Sequence, residues 1–342
     1  MKKLLAVISM IVFMFVPQGC TSKQLNERMV IQGMGVDFSD KNYIITVMYM
    51  NTDETNKDTP NKLLTGKGRT ITEAVTNIVS QNGLEPLYSH NLFVLLGDSL
   101  CKQGVKEALE FFAGYYQCSP SVNVIAGGEN ARKLMSVKDI TPQLIEDLAE
   151  SKNTTGRALT MPMYKFIADM LNETSSACTG LLAIEGDKLK YSGVAVFDDD
   201  TISYKLDGTQ TMGVMLLRGE SDISAEVIPL GGKNKSFALK YDDNHMDVSV
   251  KNNKLYCDVT IKGEATIYEY TRADEKAEEK IEERINAIIK KSLNECKARG
   301  SDIFYMGKTL RQSDYKEYSK IEDWSQMVKN GVYIVNSDIR VK

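Results

Sequence analysis

The sequence predicts an α+β protein of several domains, with mixed and antiparallel sheets and packed helices. In the first half, apolar runs of strand length alternate with segments whose apolar residues recur at helical spacing. In the second half, strands that alternate apolar and polar residues precede one long amphipathic helix. A length of 342 residues favours two or three domains over one.

We divide the chain into a signal peptide and three domains. Residues 1–19 are the predicted signal peptide, and residues 20–137 are a predicted N-terminal α/β domain. Residues 138–207 are a predicted middle domain, and residues 208–342 are a predicted C-terminal domain of antiparallel sheet plus long helix. One alternative stays open, because the strands predicted within 188–206 could belong to the sheet of the first domain.

The first twenty residues have the pattern of an export signal. The apolar run from Leu4 to Val16 follows two lysines and is too short to cross a bilayer as a helix. Gly19 then precedes Cys20, and a small residue before Cys after an apolar run resembles the bacterial lipoprotein signal. Cys20 would then be the acylated first residue of the mature chain, with about 0.8 kcal/mol gained per buried methylene. The alternative is an ordinary signal peptide or an uncleaved anchor in which Cys20 has no role.

Composition argues against two further classes. The formal net charge of −4 argues against broad nucleic-acid binding, which requires a concentrated basic field. After Val16 no apolar run approaches the roughly 18 residues of a transmembrane helix. The six cysteines include no CxxC pair, and with Cys20 lipidated an odd number would remain. We expect the others to be mostly small buried residues without disulfides.

The first half predicts a β-hairpin followed by alternating helices and strands. Apolar runs at 29–38 and 42–50 flank a short turn, and residues 51–68 are a predicted loop. The elements predicted next are a helix at 70–82 capped by Thr72, a strand at 92–96, a helix at 99–116, a strand at 121–126 and a short helix at 130–135.

The predicted middle domain has two helical segments within 141–172 and then two strands. Asp198, Asp199 and Asp200 join these strands. A solvated turn is the prediction for this acidic run, and cation binding is the alternative, although the further ligands of an EF-hand loop are absent.

The second half predicts antiparallel strands and the longest helix of the chain. Strands at 236–241, 246–251 and 255–270 alternate clearly, with turns at 242–244 and 251–254. The helix at 273–299 carries one apolar stripe, starts acidic, ends basic and is stopped by Gly300. We expect its stripe to pack on its own domain, with a coiled-coil seam as the alternative.

Several stretches, taken in this order, resemble the Ger(x)C family, the lipoprotein C subunits of spore germinant receptors. At the N-terminal end they are MVIQGMGVDF at 29–38, the pattern Gly66-x-Gly68-x-Thr70-x-x-Glu73-Ala74, and SHNLFVLLGDSLCKQGVKEALEFF at 89–112. At the C-terminal end they are Asp302-x-Phe304-x-x-Gly307 after the long helix, Trp324, and a valine-rich last strand. The resemblance covers essentially the whole mature chain.

The resemblance implies a non-catalytic, lipid-anchored subunit of a nutrient germinant receptor that takes part in triggering spore germination. It implies attachment through Cys20 to the outer face of the spore inner membrane. It also implies two integral partners, the A and B subunits, and a nutrient trigger such as an amino acid or a sugar. Whether this chain contacts the nutrient itself is left open.

The residues offer no case for an enzyme. His90 and His245 are the only histidines, so a multi-histidine metal site is excluded, and we expect a structural role for His90 and an exposed turn for His245. The sequence lacks a nucleophile elbow and a phosphate loop. We therefore predict no catalytic residue, no metal ligand and no cofactor.

Two other function classes compete with a receptor subunit. A solute-binding lipoprotein of a transporter would have two matching α/β lobes, which the antiparallel second half does not favour. A cell-envelope hydrolase would need the missing nucleophile motifs and more histidine.

Overall fold

The computed structural model describes residues 28–50, 61–114, 118–268 and 276–342. The predicted signal peptide and Cys20 lie outside the described residues. So do residues 51–60 of the predicted loop and the first residues of the predicted long helix.

Ten strands within the described ranges form the first sheet. They are β1 (Arg28–Ser39), β2 (Asn42–Met50), β3 (Asn61–Gly68), β4 (Glu85–Leu87), β5 (Phe93–Leu96), β6 (Asn123–Gly127), β7 (Met161–Pro162), β8 (Cys178–Glu185), β9 (Lys188–Asp198) and β10 (Thr201–Asp207). The order is β10-β9-β8-β6-β5-β1-β2-β3, with β4 beside β1 and β7 beside β6. The centre is parallel and both edges are antiparallel, so the predicted mixed sheet is confirmed.

The predicted hairpin is confirmed, whereas the loop predicted after it is partly wrong. β1 and β2 pair across a turn in which Asp40 and Lys41 have φ values of 52° and 59°. Two positive φ values give a turn that matches the twist of the strands. Residues 61–68 pair with β2 as an antiparallel strand. The polar and glycine-rich composition of these residues did not predict a strand, because the hydrogen bonds between strands are made by the backbone and not by the side chains.

Helices cover the first sheet. They are α1 (Ile71–Asn82), α2 (Asp98–Gln103), α3 (Lys106–Gly114), α4 (Ala131–Leu134), α5 (Pro142–Glu150), α6 (Lys152–Thr155) and α7 (Met163–Met170). The single helix predicted at 99–116 is wrong, because Gly104 separates α2 from α3 with a φ of +134°. A Cβ there would also lie 2.6 Å from the Asp200 carboxylate. The cap of α1 is Thr70 and not Thr72, since Thr70 Oγ1 accepts from the Glu73 amide at 3.1 Å.

Strands β8, β9 and β10 continue the first sheet, because β8 pairs in parallel with β6. This is the arrangement left open for residues 188–206. Helices α5 to α7 lie between β6 and β8 in the chain. The domain division at 137 and 207 stays a prediction.

The second sheet has the order β11 (Ile223–Leu230), β12 (Lys233–Lys251), β13 (Lys254–Ile267) and β14 (Val332–Val341). The turn predicted at 242–244 is wrong, because β12 runs through it as one strand with a bulge between Tyr241 and Asp243. The turn at 251–254 is confirmed, with positive φ at Asn252 and Asn253. β14 runs parallel to β13, so this sheet is not purely antiparallel. The helices between the two strands supply the crossover that parallel pairing requires.

The remaining helices lie between and beside the sheets. They are α8 (Gly208–Arg218), α9 (Ala277–Arg299), α10 (Met306–Ser313), α11 (Tyr315–Tyr318) and α12 (Trp324–Asn330). α8 is buried from Gln210 to Leu217 and packs against α9 and against strands of both sheets. The stripe of α9 is buried against α8, β11 and β14, so it packs on its own sheet as predicted. Gly300 ends α9 with a φ of +72°.

Candidate functional site at the junction of the two sheets

The two sheets meet around the C-terminal end of α8. We call this region the junction and define it by Arg218 of α8, the loop 301–305 that follows α9, and residues 163–178, which run from α7 to the start of β8. One hydrophobic core continues through it, because buried side chains from both sheets belong to the same cluster. The polar groups described below are therefore held inside or beside packed apolar surface.

Arg218 is the central cation of the junction, with a side chain only 1% exposed. Its Nε and Nη2 donate to the carbonyl oxygen of Ile303 at 2.9 and 2.7 Å. Nη2 also lies 3.1 Å from Sγ of Cys178. A buried guanidinium that loses its partners is costly in free energy. These contacts therefore hold α8, the loop 301–305 and β8 together.

Tyr305 packs on the face of Arg218. The guanidinium carbon lies 4.9 Å from the Tyr305 ring centroid, and Lys165 Nζ lies 5.3 Å from it. The Tyr305 hydroxyl donates to Oδ2 of Asp169 at 2.9 Å. Burial raises the pKa of Asp169, although this hydrogen bond and the charge of Arg218 oppose the rise. The ring thus links α7 to α8 and to the start of α10.

Asp302 is buried and organises the turn before α10. Its carboxylate accepts from the amides of Phe304 and Met306, both at 3.1 Å, and of Gly307 at 2.8 Å. Burial raises its pKa to about 6, although the three amides favour the charged form. A Cβ at Gly307 would lie 2.5 Å from Thr174. The Asp-x-Phe-x-x-Gly pattern therefore combines a carboxylate cap with a close approach to the segment before β8.

Another buried carboxylate joins more distant segments. The side chain of Glu226 in β11 is 5% exposed. Its Oε1 accepts from Nη2 of Arg157 at 2.8 Å, and its Oε2 accepts from Nε and Nη2 of Arg284 at 3.1 and 2.6 Å. Arg157 follows α6, and Arg284 lies in α9, so this carboxylate connects the first part of the chain to the second sheet and its helix.

A polar cavity of about 240 Å³ opens beside Asp302. We call it the junction pocket. Its lining includes Glu173, Ser175, Ser176, Asp198, Ser203, Arg299, Ser301, Asp302, Trp324, Ser325 and Lys329. Hydroxyl groups, carboxylates and cations thus surround one small space, and they come from the first sheet, from the segment before β8 and from α9 and α12 with the loop after α9.

The N-terminal glycine motif has a packing role. A Cβ at Gly66 would lie 2.1 Å from the Ala74 carbonyl oxygen, and one at Gly68 would lie 2.4 Å from the Ala74 nitrogen. Glu73 Oε2 accepts from the Arg69 amide at 2.7 Å, while Thr70 caps the helix. These residues allow α1 to lie directly on β3, so the pattern is a strand–helix contact and not a phosphate loop.

The residues predicted to be of functional interest do not come together. Cys20, the predicted lipidation site, lies outside the described residues. His90 is exposed, which does not fit the structural role expected for it. His245 is exposed as expected, but it lies within β12 and contacts Asp247 at 2.9 Å. Asp198, Asp199 and Asp200 span the β9–β10 turn, in which Asp199 has a φ of 52°.

The part of the chain that the structure describes has five cysteines, all free, and four of them are buried: Cys101, Cys178, Cys257 and Cys296. Among the described residues, no group of His, Cys, Asp or Glu could hold a metal ion. In the same part of the chain, no helix is both long and apolar enough to cross a membrane.

Sequence reasoning missed the polar groups of the junction other than Asp302. Arg218 ends the apolar run that begins at Met212, and a lone cation closing such a run is the one signal that pointed to it. Asp169, and Glu226 outside the junction, carried no comparable signal, because their burial depends on partners far away in the chain.

The family resemblance read from the motifs is confirmed by comparison with known proteins. A family model described as spore germination protein N-terminal domain matches residues 21–184. A second model, described as spore germination B3/GerAC like, C-terminal, matches residues 192–342. The curated proteins include no match to this chain.

The crystal structure of the GerBC protein is similar in fold. The TM-score is 0.63, the sequence identity is 16%, and the match covers 90% of this chain and 96% of that one. The match supports a multidomain mixed α and β architecture. Since the two family models together span most of the sequence, the chain belongs to the Ger(x)C family of spore germinant receptor C subunits.

Proposed function

We propose that this chain is a non-catalytic, lipid-anchored subunit of a nutrient germinant receptor complex and takes part in triggering spore germination. It would be attached through Cys20 to the outer face of the spore inner membrane, beside integral A and B subunits. The observation that carries the proposal is the position of the family match. The N-terminal model begins at residue 21, directly after Cys20, and the second model continues to residue 342.

A lipid anchor has a simple physical use in such a complex. It confines the folded part to the membrane surface and so raises its effective concentration near integral partners. Several acyl chains are needed for stable attachment, which an acylated N-terminal cysteine provides. The anchored chain can then bind its partners without a membrane-spanning segment of its own.

The non-catalytic part of the proposal is supported by what the buried charged groups contact. The Asp302 carboxylate accepts from three amides, Asp169 accepts from Tyr305, and Glu226 accepts from two arginines. Each of these carboxylates therefore holds segments together. A general acid or base needs a group that is free to exchange a proton with a substrate.

A solute-binding lipoprotein of a transporter is the competing class. Such proteins enclose a ligand between two matching α/β lobes. Within the described ranges, the second sheet has four strands and lacks the parallel centre of the first sheet. The two halves are therefore unlike each other, which favours a receptor subunit.

Co-purification tests the proposal. The full chain, tagged after Lys342, is extracted with detergent from membranes of sporulating cells and its partners are identified by mass spectrometry. We expect polytopic membrane proteins to co-purify, Cys20 to carry diacylglycerol with acyl chains such as palmitate, and Cys20→Ala to lose most of the membrane-bound material. Cys118→Ala is the matched control, since Cys118 is a free cysteine that lies outside the predicted lipidation signal.

Two results would contradict the proposal. One is a wild-type chain that is soluble, unacylated and monomeric. The other is a Cys20→Ala variant that recovers the same partners from the same membrane fraction as the wild type.

A further inference from the structure

An apolar groove lies between α3 and α7, beside the first sheet. The two helices pack next to each other, and α7 also contacts β6 and β8. We call the space between them the helix groove, and its volume is about 160 Å³. Among the described residues that line it, the apolar ones are Leu109, Ala113, Ile167, Met170 and Leu171.

The floor of the helix groove belongs to the core, whereas its outer edge is open to solvent. Leu109 is buried in the core, and Ile167 and Met170 pack against the core. Leu171 directly follows α7 and is 77% exposed, the highest value of any large apolar side chain in the described ranges. A single exposed leucine is common, but this one extends an apolar concave surface. The groove therefore favours an occupant with an apolar side chain.

The charged side chains at the rim of the helix groove are mainly acidic. Glu110 and Asp199 line it together with Lys106. Among the described residues, neither of these two carboxylates has an ion-pair or hydrogen-bond partner. Two further exposed carboxylates, Glu173 and Asp198, lie within two residues of the lining. The C-terminal end of α7 adds the negative end of its helix dipole. The rim thus has an excess of negative charge.

The acidic turn between β9 and β10 is held in place by the start of α3. The Val105 amide donates to the Asp200 carbonyl oxygen at 2.9 Å, and the Lys106 amide donates to Asp200 Oδ2 at 3.4 Å. The turn is therefore fixed beside the groove before any partner binds, which lowers the cost of binding. This position gives the run of three aspartates a role that its sequence did not indicate.

The size of the helix groove limits what can enter it. A volume of about 160 Å³ is close to that of an apolar cavity of about 150 Å³ that binds benzene. One phenylalanine or leucine side chain fills such a space. Amphipathic helices bind grooves of this kind through apolar residues that recur at i, i+3 or i+4, and i+7.

We propose that the helix groove binds a cationic amphipathic helix of a protein partner. One large apolar side chain of that helix enters the groove against Leu109 and Met170, and a neighbouring apolar residue covers Leu171. Lysine or arginine residues on its flanks lie beside Glu110 and Asp199. Charge complementarity selects a cationic helix over an acidic one. The proposal goes beyond the proposed function, and binding is measured on the chain alone.

Three synthetic peptides test the requirement for an apolar face and for positive charge. The first is an alanine-based helix with leucine, phenylalanine and leucine on one face and lysines on both flanks. The second has glutamate in place of each lysine, and the third has alanine in place of phenylalanine. Each is labelled with a fluorophore, and its binding to the full chain in micelles of a neutral detergent is followed by fluorescence anisotropy. We expect the first peptide to bind at least about tenfold more tightly than either of the others, which is the size of one charged hydrogen bond or one buried apolar side chain.

Variants of the chain locate the binding site. Leu171→Gln changes an exposed side chain and is expected to weaken the lysine peptide about tenfold. Glu110→Lys combined with Asp199→Asn should reverse the preference, so that the glutamate peptide binds more tightly. Asparagine tolerates the φ of 52° at position 199, so the turn is kept. Asp187→Lys combined with Glu279→Gln is the control, because it changes the total charge by the same amount at exposed positions of other elements. It should leave the preference for the lysine peptide unchanged.

The proposal is overturned if the lysine peptide does not bind, if Leu171→Gln leaves its affinity unchanged, or if the control pair of changes acts like the pair in the groove. A wild-type chain that sediments as a dimer, with Leu171→Gln as a monomer, would also overturn it, because a second copy would then cover the groove.

None of these outcomes affects the co-purification experiment. Loss of partners in that experiment, with binding of the lysine peptide intact, would count against the receptor complex and leave the assignment of the helix groove standing.

Discussion

Gly213 of α8 lies directly against Ser292 of α9. A Cβ at position 213 would lie 2.2 Å from Ser292 Oγ and 2.9 Å from the Ile288 carbonyl oxygen. The Ser292 hydroxyl donates across the same contact to the carbonyl oxygen of Gln210 at 2.8 Å. Two small residues thus allow the helices to approach closely, and α8 can lie buried between the two sheets.

Gly213→Ala is expected to lower the free energy of unfolding by about 1–3 kcal/mol, because the added methyl group must displace α9. Chemical denaturation measures the change. In a Ser292→Ala background the additional loss should be smaller, since Oγ is the nearest obstructing atom. Gly114→Ala in α3 is the control, because a Cβ there meets nothing within 4 Å. Equal effects of the two glycine changes would refute this account of the helix contact.

Arg218→Met is expected to cost about 2–4 kcal/mol of unfolding free energy. The change leaves the Ile303 carbonyl without its donors and removes the cation that stacks on Tyr305. Arg218→Lys should recover only part of this loss, because an ammonium group cannot make the same two bonds. Arg132→Met, on the surface, should change stability by less than about 0.5 kcal/mol. An Arg218→Met variant as stable as Arg132→Met would contradict a central role for this guanidinium.

The raised pKa of Asp302 gives the protein a defined pH dependence. Between about pH 4 and pH 6 the folded state holds this proton and the unfolded state has released it. The contribution of Asp302 to the free energy of unfolding therefore falls as the pH rises through this window, by about 2–3 kcal/mol in total.

Asp302→Asn should remove that part of the pH dependence, whatever its effect on stability at a single pH. Denaturation curves of the parent and the variant from pH 4.5 to pH 7 measure the difference. Subtracting one pH profile from the other removes the contribution of the other carboxylates, which both proteins share. Asp314→Asn serves as a control for the loss of an exposed helix cap. Parallel pH profiles of parent and Asp302→Asn would mean that Asp302 does not titrate in this range.

Glu226→Gln is expected to lower the free energy of unfolding by about 1–2 kcal/mol. This value is smaller than that of a fully buried ion pair, because the two arginines are 47% and 39% exposed. Arg157→Gln should cost less, since Arg284 keeps its two bonds to Oε2. Glu185→Gln is the control, because Glu185 pairs with Lys190 at the surface and should change stability by less than about 0.5 kcal/mol. A cost for Glu226→Gln no larger than that of the control would show that the carboxylate is not needed to join these segments.

Much of the fold followed from local patterns. The hairpin at Asp40 and Lys41, the stripe of α9 and its end at Gly300 each depend on residues close in sequence, so periodicity and turn chemistry predicted them. The failures also have physical causes. Residues 61–68 are polar but pair through the backbone, and β12 absorbs Asp242 as a bulge because β13 pairs with Tyr241 before it and with Asp243 after it.

By itself the sequence determined the α+β class, the family and the predicted lipidation site at Cys20, because ordered motifs and an N-terminal signal are properties of adjacent residues. Only the tertiary structure decided that β8 to β10 extend the first sheet and that the two sheets meet around Arg218. Arg218 and Ile303 are 85 positions apart, and Asp169 and Tyr305 are 136 apart. Contacts at such separations form only when the complete core packs, so no local pattern in the sequence predicts them.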